Sequence, residues 1–268
     1  MAGPSRSLTS GGIFYSLARF SLPVLLTLFL QALYGGVDLL VVGQFASTAD
    51  VSGVSTGSML LSTFTMLVTG LSMGPTVTVG EAIGSGSPKE AGRAVLAGLT
   101  LLGSLAVLLT LGLALFAQPL AALLDAPPEA MDHTVAYIRI CGLGMVFIVA
   151  YNFLGAVLRG AGDAKTPLYT VAVACAVNIV GDLLLVAGFH LGAAGAAIAT
   201  VAAQAVSVLL SLFFLCRKPL PFAMPPRAGR KLTRKMLRQL RICMPSSGVL
   251  LKSLYCIGGT SRGMILLV

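Results

Sequence analysis

Two acidic residues interrupt long apolar stretches of the chain. Asp38 lies within Phe20–Phe45 and Asp182 within Thr166–Phe189. An ionisable side chain inside a membrane is costly, so its presence there indicates a function. Each acid comes seven residues before the end of its stretch, which at about 1.5 Å of helical rise per residue is roughly 10 Å. Two carboxylates at matching depth can share a proton or bind a cation. The alternative is that each one separately hydrogen-bonds a neighbouring helix.

A third polar residue shares the helical face of the second acid. Asn178 precedes Asp182 by four residues, and residues at this spacing are neighbours on a helix surface. An amide beside a carboxylate suits Na⁺, which prefers oxygen ligands. The same pair suits a proton site, where the amide steadies a protonated carboxyl. The sequence leaves the choice between these two ions open.

The composition is that of an integral membrane protein. Of the 268 residues, 56% are hydrophobic and 10% are charged, whereas a soluble globular domain carries about 25% charged residues. A soluble fold with so few charges could not cover its own surface. We therefore expect the apolar stretches to lie in lipid.

Six stretches reach the length of about 20 apolar residues that a helix needs to cross the hydrocarbon core. Their length, and the lack of alternation along them, argue against barrel strands. The connections are short, so consecutive helices are expected to be antiparallel neighbours. The prediction is an all-α bundle over residues 20–216, with spans Phe20–Phe45, Val51–Gly80, Ala94–Ala117, Val135–Leu158, Thr166–Phe189 and Leu191–Cys216.

The basic residues outside the spans fall on one side of this predicted bundle. The opposite loops contain acids and no Lys or Arg. By the positive-inside rule, we expect residues 1–19 and a basic linker, residues 217–243, to be cytoplasmic beside anionic lipid. Nucleic-acid binding is not expected, although the net charge is +9. The basic positions outside the spans and before residue 217 are Arg6, Arg19, Lys89, Arg93, Arg159 and Lys165, and the acidic ones opposite them are Asp50, Asp125, Glu129 and Asp132.

Residues 244–268 begin like a seventh span at Met244-Pro245 but contain Lys252 and Arg262. No clean run of about 20 apolar residues follows. We expect this segment to be the start of a truncated or aberrant second lobe.

Further polar residues within the spans could line a cavity; these are Gln31, Tyr34, Asn152 and Gln204. In the first span, Pro23 and the pair Gly35-Gly36 could permit a bend near Asp38. The alternative is that the two glycines allow close helix packing.

These residues together resemble the multidrug and toxic compound extrusion (MATE) family of antiporters. Four stretches carry the likeness. The first is Leu22-Pro23 with Gln31 to Asp38, and the second runs from Leu158 through Arg159-Gly160-Ala161-Gly162-Asp163 to Pro167. The third is Asn178 to Asp182, and the fourth is Gly195 to Gln204. The resemblance implies twelve helices in two six-helix lobes, with substrate passing between them and this chain supplying the first lobe. It also implies that Asp38, Asn178 and Asp182 form a proton or sodium site, which Thr200 and Tyr137 join.

The expected function is secondary active export of amphipathic organic cations in exchange for H⁺ or Na⁺. No enzymatic activity and no cofactor beyond the coupling ion are expected. The expected location is a bacterial plasma membrane, with a separate second lobe or a second copy of the chain as partner. The alternatives are a flippase for lipids or lipid-linked oligosaccharides, and a non-transporting membrane fragment.

Overall fold

A computed structural model of the chain describes residues 13–217, with side chains from residue 18 onward except that of residue 19. All the regular elements in this part are helical. The predicted cytoplasmic linker beyond residue 217 and the predicted second-lobe segment, residues 244–268, lie outside the described residues, as do residues 1–12. The elements are α1 (Ile13–Phe45), α2 (Thr48–Gly84), α3 (Pro88–Leu115), α4 (Ala117–Leu123), a 3₁₀ turn (Pro128–Ala130), α5 (Met131–Leu143), α6 (Met145–Gly160), α7 (Lys165–Asp182), a π-helical segment (Leu183–Gly188) and α8 (Gly192–Arg217).

The helices agree with the six predicted spans. Five described helices are long and apolar enough to cross a membrane by length and composition, and α5 and α6 together make a sixth if they count as one bent span. Phe20–Phe45 on α1 is long and apolar enough to be a span, as predicted, and the helix itself begins at Ile13. The chain therefore has the all-α architecture expected of one six-span lobe.

The predicted fourth span, Val135–Leu158, is two helices rather than one. The axes of the 128–143 and 145–160 segments differ by 47°. The break falls at Gly144, where an added Cβ would lie 2.8 Å from Cγ1 of Val201 on α8. A glycine here lets α8 approach the backbone at the bend. The bent span thereby packs around α8 instead of crossing it in a straight line.

Two smaller differences concern the ends of predicted elements. The predicted fifth span is an α-helix only as far as Asp182, and its last turns form the π-helical segment. The predicted outer loop between the third and fourth spans contains the short helix α4. π-Helical turns are rare and occur most often at functional sites, so the one that directly follows Asp182 draws attention to this residue.

The bundle has two ends, which we name by a residue at each. The Asp50 end carries the α1–α2 turn and the α7–α8 turn, and the Lys89 end carries the α2–α3 turn and the α6–α7 loop. α2 packs against α3, α5 and α6, while α1 packs chiefly against α7 and α7 against α8. Because α8 also contacts α5 and α6, it joins the two groups of helices.

The core between these helices is apolar and closely packed. Its largest fully buried side chains include Leu102, Ile138 and Met145. The outward faces are equally apolar: Phe29 on α1 is 64% exposed and Leu108 on α3 is 68% exposed. Apolar side chains on both the inner and outer faces are the pattern of helices that are surrounded by lipid.

Candidate functional site

Asp38 and Asp182 lie next to each other between α1 and α7. Their carboxyl groups are within direct interaction range of one another, and they are 5% and 0% exposed. Asp38 Oδ1 and both carboxyl oxygens of Asp182 have no hydrogen-bond partner among the described residues. The structure thus brings the two acids into one buried cluster, and neither acid is engaged in a separate hydrogen bond to a neighbouring helix through these three oxygens.

Asn178 and Thr200 flank the pair on the side of the Lys89 end. Asn178 is fully buried, one helical turn before Asp182, and its Nδ2 donates to Thr200 Oγ1 at 3.4 Å. That bond leaves Asn178 Oδ1 without a partner in the described part of the chain. The amide is held with its oxygen free to accept from a donor or to contact a cation.

Two tyrosines and a cysteine complete the surroundings of the acids. Tyr137 from α5 is 3% exposed and lies within electrostatic range of both Asp38 and Asp182. Tyr34 and Cys141 are within the same range of Asp38. These neighbours are neutral groups, so they compensate none of the negative charge of an ionised pair.

Gly57 on α2 explains how Tyr137 reaches this position. A Cβ at residue 57 would lie 2.5 Å from Cδ1 of the tyrosine, so only glycine lets the ring rest on the backbone of α2. Nothing in the local sequence distinguishes this glycine, because its role depends on a residue 80 positions later.

Three of the four polar residues expected to line a cavity do so in the structure, and Asn152 does not. Gln31, Tyr34 and Gln204 line one small cavity of about 10 Å³ together with Asn178. Gln204 Nε2 donates to the Tyr34 hydroxyl at 3.3 Å, and Gln31 Nε2 donates to the hydroxyl of Tyr151 at 3.4 Å. This cavity adjoins the acid pair on the side of the Lys89 end.

Asn152 has a different place. Its Nδ2 donates to Ile148 O at 2.8 Å, and its Oδ1 accepts from Thr69 Oγ1 at 3.0 Å. Asn152 is not among the residues that line the cavity. Its side chain ties α6 to α2.

The arrangement of the site suits a positive ligand or a proton. Four buried oxygens without partners, on Asp38, Asn178 and Asp182, are acceptors or metal ligands. A buried carboxylate pair is stable only when its charge is compensated. The described groups around it supply no Lys, Arg or His. The donor set therefore fits an alkali cation or a proton, and an anion would be repelled.

A third buried acid, Asp50, organises the opposite end of the lobe, a role that the sequence analysis does not predict. The sequence predicts that Asp50 lies in an outer loop, whereas it lies in the first turn of α2, in a capping box with Ser47. Asp50 Oδ1 accepts from Ala193 N at 2.8 Å and lies 2.8 Å from His133 Nδ1. One carboxylate thus joins the starts of α2, α5 and α8. The spacing Ser47-x-x-Asp50 resembles a helix-start signature and could have shown that α2 begins there.

Comparison with known proteins places this helical lobe in a family. A family model described as MatE matches residues 23–184, more than half of the chain. The chain belongs to the MatE family. MatE proteins are membrane transporters, and the matched region contains Asp38, Asn178 and Asp182.

MatE relatives in bacteria are similar along most of this chain. The probable multidrug resistance protein YpnP of Bacillus subtilis is 28% identical over 218 residues, which are 81% of this chain and 49% of that protein. The probable multidrug resistance protein YoeA of the same organism is 28% identical over 88% of this chain and 52% of its own length. The chain thus spans about half the length of these relatives.

Solved structures of MatE transporters have the same fold. A crystal structure of MATE in complex with MaD3S has a TM-score of 0.83 at 24% identity, covering 94% of this chain and 56% of that one. An inward-facing multidrug resistance MATE transporter has a TM-score of 0.75 at 23% identity, covering 82% of this chain and 51% of that one. The half-length coverage agrees with the prediction that this chain has the fold of one lobe of a MATE transporter.

Proposed function

We propose that this lobe is the ion-coupling half of a transporter that exports amphipathic organic cations in exchange for H⁺ or Na⁺. The observation that carries the proposal is the Asp38–Asp182 pair, buried side by side with carboxyl oxygens that have no partner in the described structure. The multidrug resistance names of YpnP and YoeA support the cargo class. The acidic site supports it as well, because buried carboxylates favour positive ligands.

In the proposed mechanism, a proton or Na⁺ compensates the charge of the pair, and export substrate is released when the ion enters. Asn178 Oδ1 adds a neutral oxygen ligand for Na⁺, and Thr200 holds the amide in place. Tyr137 limits access of water from the side of α5. Without an ion, the carboxylates of Asp38 and Asp182 would repel each other, so ion occupancy changes how closely α1 and α7 can approach.

We further propose that α1 transmits this change. Gly35 and Gly36 lie one turn before Asp38, and a Cβ on either would meet nothing within 4 Å. They are therefore not used for close packing in the described part of the chain. Glycines inside a helix weaken it by roughly 1 kcal/mol each relative to Ala, which favours bending at this point.

The proposed setting is a bacterial plasma membrane with the Lys89 end in the cytoplasm. The basic loops at that end support this orientation by the positive-inside rule. The proposed partner is a second lobe, supplied by a separate chain or by a second copy of this one, because transport by rocking of lobes needs two of them. No cofactor other than the coupling ion is proposed.

Ion binding is the first test and needs only this chain. Na⁺ at about 100 times its dissociation constant should raise the free energy of unfolding in lipid nanodiscs by about 2.7 kcal/mol, or acidification should produce a protonated-carboxyl infrared band. The double variant that combines Asp38→Asn with Asp182→Asn should abolish both responses, and each single variant should weaken them. Asp132→Asn, which alters an exposed acid in the first turn of α5, is the matched control and should leave them intact. A chain with neither response in its unaltered form does not have the proposed site.

Transport is the second test. Proteoliposomes containing the full chain and loaded with a fluorescent organic cation should release it when a proton or sodium gradient is imposed. Release that persists in Asp38→Asn would contradict the mechanism. Intact ion binding without any gradient-driven release would instead assign the chain, on its own, to the non-transporting alternative.

A further inference from the structure

The small polar cavity beside the ion site has features that the proposed antiport does not explain. It lies between the acid pair and the Lys89 end, because Tyr34 precedes Asp38 in α1 and Gln204 follows Thr200 in the antiparallel α8. Its volume is about 10 Å³, close to the minimum of about 10–15 Å³ that one water molecule needs.

Three buried oxygens on the walls of this cavity have no hydrogen-bond partner in the described structure: Asn178 Oδ1, Gln204 Oε1 and Ser207 Oγ. Asn178 and Ser207 are 0% and 1% exposed. A buried serine in a membrane helix ordinarily bonds to its own backbone, as Ser72 does with Val68 O at 2.8 Å. Ser207 makes no such bond, so its hydroxyl is available to a molecule inside the cavity.

The chemistry of the walls selects the occupant. Amide oxygens only accept hydrogen bonds, so two of the three orphaned atoms require a donor or a cation, and an anion is excluded. The lining contains Gln, Asn, Ser and Tyr but no carboxylate. A bare alkali cation here would lose its hydration without gaining a compensating charge, which is strongly unfavourable. A neutral water molecule carries no such cost.

We propose that one water molecule occupies this cavity, held by Asn178, Gln204 and Ser207, and that it carries protons between the acid pair and the Lys89 end. The second half of this inference rests on the proposed function, since it presumes that the acid pair takes up and releases a proton.

The hydroxyls next to the cavity give the water a partner on each side. Tyr34 lies one turn before Asp38 and within electrostatic range of it. Its hydroxyl accepts from Gln204, which leaves its own hydrogen to donate. Tyr151 lines the cavity on the other side and lies within electrostatic range of both Tyr34 and Arg159. The hydroxyls of the two tyrosines can each both accept and donate.

Proton release then proceeds by a shift of hydrogens along this row. The carboxyl proton of Asp38 passes to the Tyr34 oxygen as the Tyr34 hydrogen passes to the water. At rest the water donates its two hydrogens to Asn178 Oδ1 and Gln204 Oε1. One of them turns from Gln204 and passes to the Tyr151 oxygen, and the Tyr151 hydrogen leaves toward the Lys89 end. The hydrogen received from Tyr34 then takes up the bond to Gln204 Oε1. One proton is transferred in total, the carboxylate remains ionised, and both tyrosines and the water regain their original composition.

The test is a pH jump on the full chain in nanodiscs, followed by time-resolved infrared absorption of the protonated carboxyl. Ser207→Val replaces the hydroxyl by methyl groups and fills the cavity. It should slow proton release by at least about tenfold, because expulsion of the water removes the hydrogen bond that links Tyr34 to Tyr151, and it should leave the equilibrium midpoint unchanged. Ser72→Val is the control, because Ser72 bonds its own helix outside the cavity, and its rate should equal that of the unaltered chain. If Ser207→Val does not fold, Ser207→Ala removes the oxygen without adding bulk and should slow release in the same direction.

The outcomes separate the two proposals. The absence of both a titrating carboxyl band and stabilisation by Na⁺ in the unaltered chain contradicts the proposed function. Stabilisation by Na⁺ without a titrating carboxyl band overturns the proton path alone. A normal band whose release rate is unchanged in Ser207→Val or Ser207→Ala overturns the water link and leaves the ion site standing. A high-resolution experimental structure should show a density peak within hydrogen-bond distance of Ser207 Oγ in sodium-free buffer. A peak that appears only with sodium would identify the occupant as a cation and overturn the assignment to water.

Discussion

Gly144→Ala is expected to destabilise the lobe through a single contact. The added Cβ would overlap Cγ2 of Val201 and lie 2.8 Å from its Cγ1 and 3.1 Å from its Cβ. Val201 is β-branched and has one strongly preferred rotamer in a helix, so it cannot turn aside, and α5, α6 or α8 must shift. Overpacking of this kind costs about 1–3 kcal/mol. The bend also sets the positions of α5, which carries Tyr137, and α6, which carries Tyr151. Because Tyr137 lies near the acid pair, the same change should weaken ion binding.

The double variant with Val201→Ala isolates this contact. Val201→Ala alone should cost about 1–1.5 kcal/mol through lost packing. In the double variant, the new methyl group occupies the space vacated by the valine. Its stability should therefore equal that of Val201→Ala alone, which gives a favourable coupling of about 1–3 kcal/mol.

The measurement is equilibrium unfolding in mixed micelles by increasing the mole fraction of a denaturing detergent. Gly103→Ala is the control, since a Cβ at residue 103 of α3 would meet nothing within 4 Å. It should be neutral or stabilise by up to about 1 kcal/mol through helix propensity. If the cost of the double variant lies within about 0.5 kcal/mol of the sum of the two single costs, the contact between residue 144 and Val201 does not determine the bend, which would refute this prediction.

Three further predictions concern contacts between helices and use the same unfolding assay. Asp50→Ala should cost about 2–3 kcal/mol, because a buried charged acceptor loses its bond to Ala193 N and its capping role; a cost under about 0.5 kcal/mol would show that the junction is not structural. Gly192→Ala should cost at least about 1–2 kcal/mol, since residue 192 has φ +51°, where a side chain is strained; full stability would contradict this. Thr69→Val should cost about 0.6 kcal/mol, the average for an interhelical hydrogen bond in a membrane protein, and the cost should vanish when Asn152 is already replaced by Leu.

The spans could be predicted because the bilayer imposes a simple rule on composition. The predicted stretch Phe20–Phe45 is a candidate span in the structure as well, since about 20 apolar residues are required at every crossing. The local sequence does not show, however, which distant residue a given residue contacts in the fold. Gly144 looks like any other glycine in an apolar run, and its bend depends on Val201 from a helix that comes later in the chain.

The candidate site could be found in part from depth alone. Asp38 and Asp182 were matched by their distance from the ends of their helices, and the structure places them together. Asn178 followed from the helical repeat. The roles of Thr200 and Tyr137 came only with the family resemblance, because each depends on how α8 and α5 pack. Their part in ion binding remains a prediction.

The position of Asp38 early in the chain has a consequence for biosynthesis. α1 packs chiefly against α7, so the partner of Asp38 is made 144 residues later. At a synthesis rate of 5–20 residues per second, this interval is about 7–30 s. During that time an ionisable side chain in α1 enters the membrane without Asn178 or Asp182 beside it. An unpaired ionisable residue in the membrane is costly, so the residue that we propose for ion coupling in the finished lobe is a burden during its assembly.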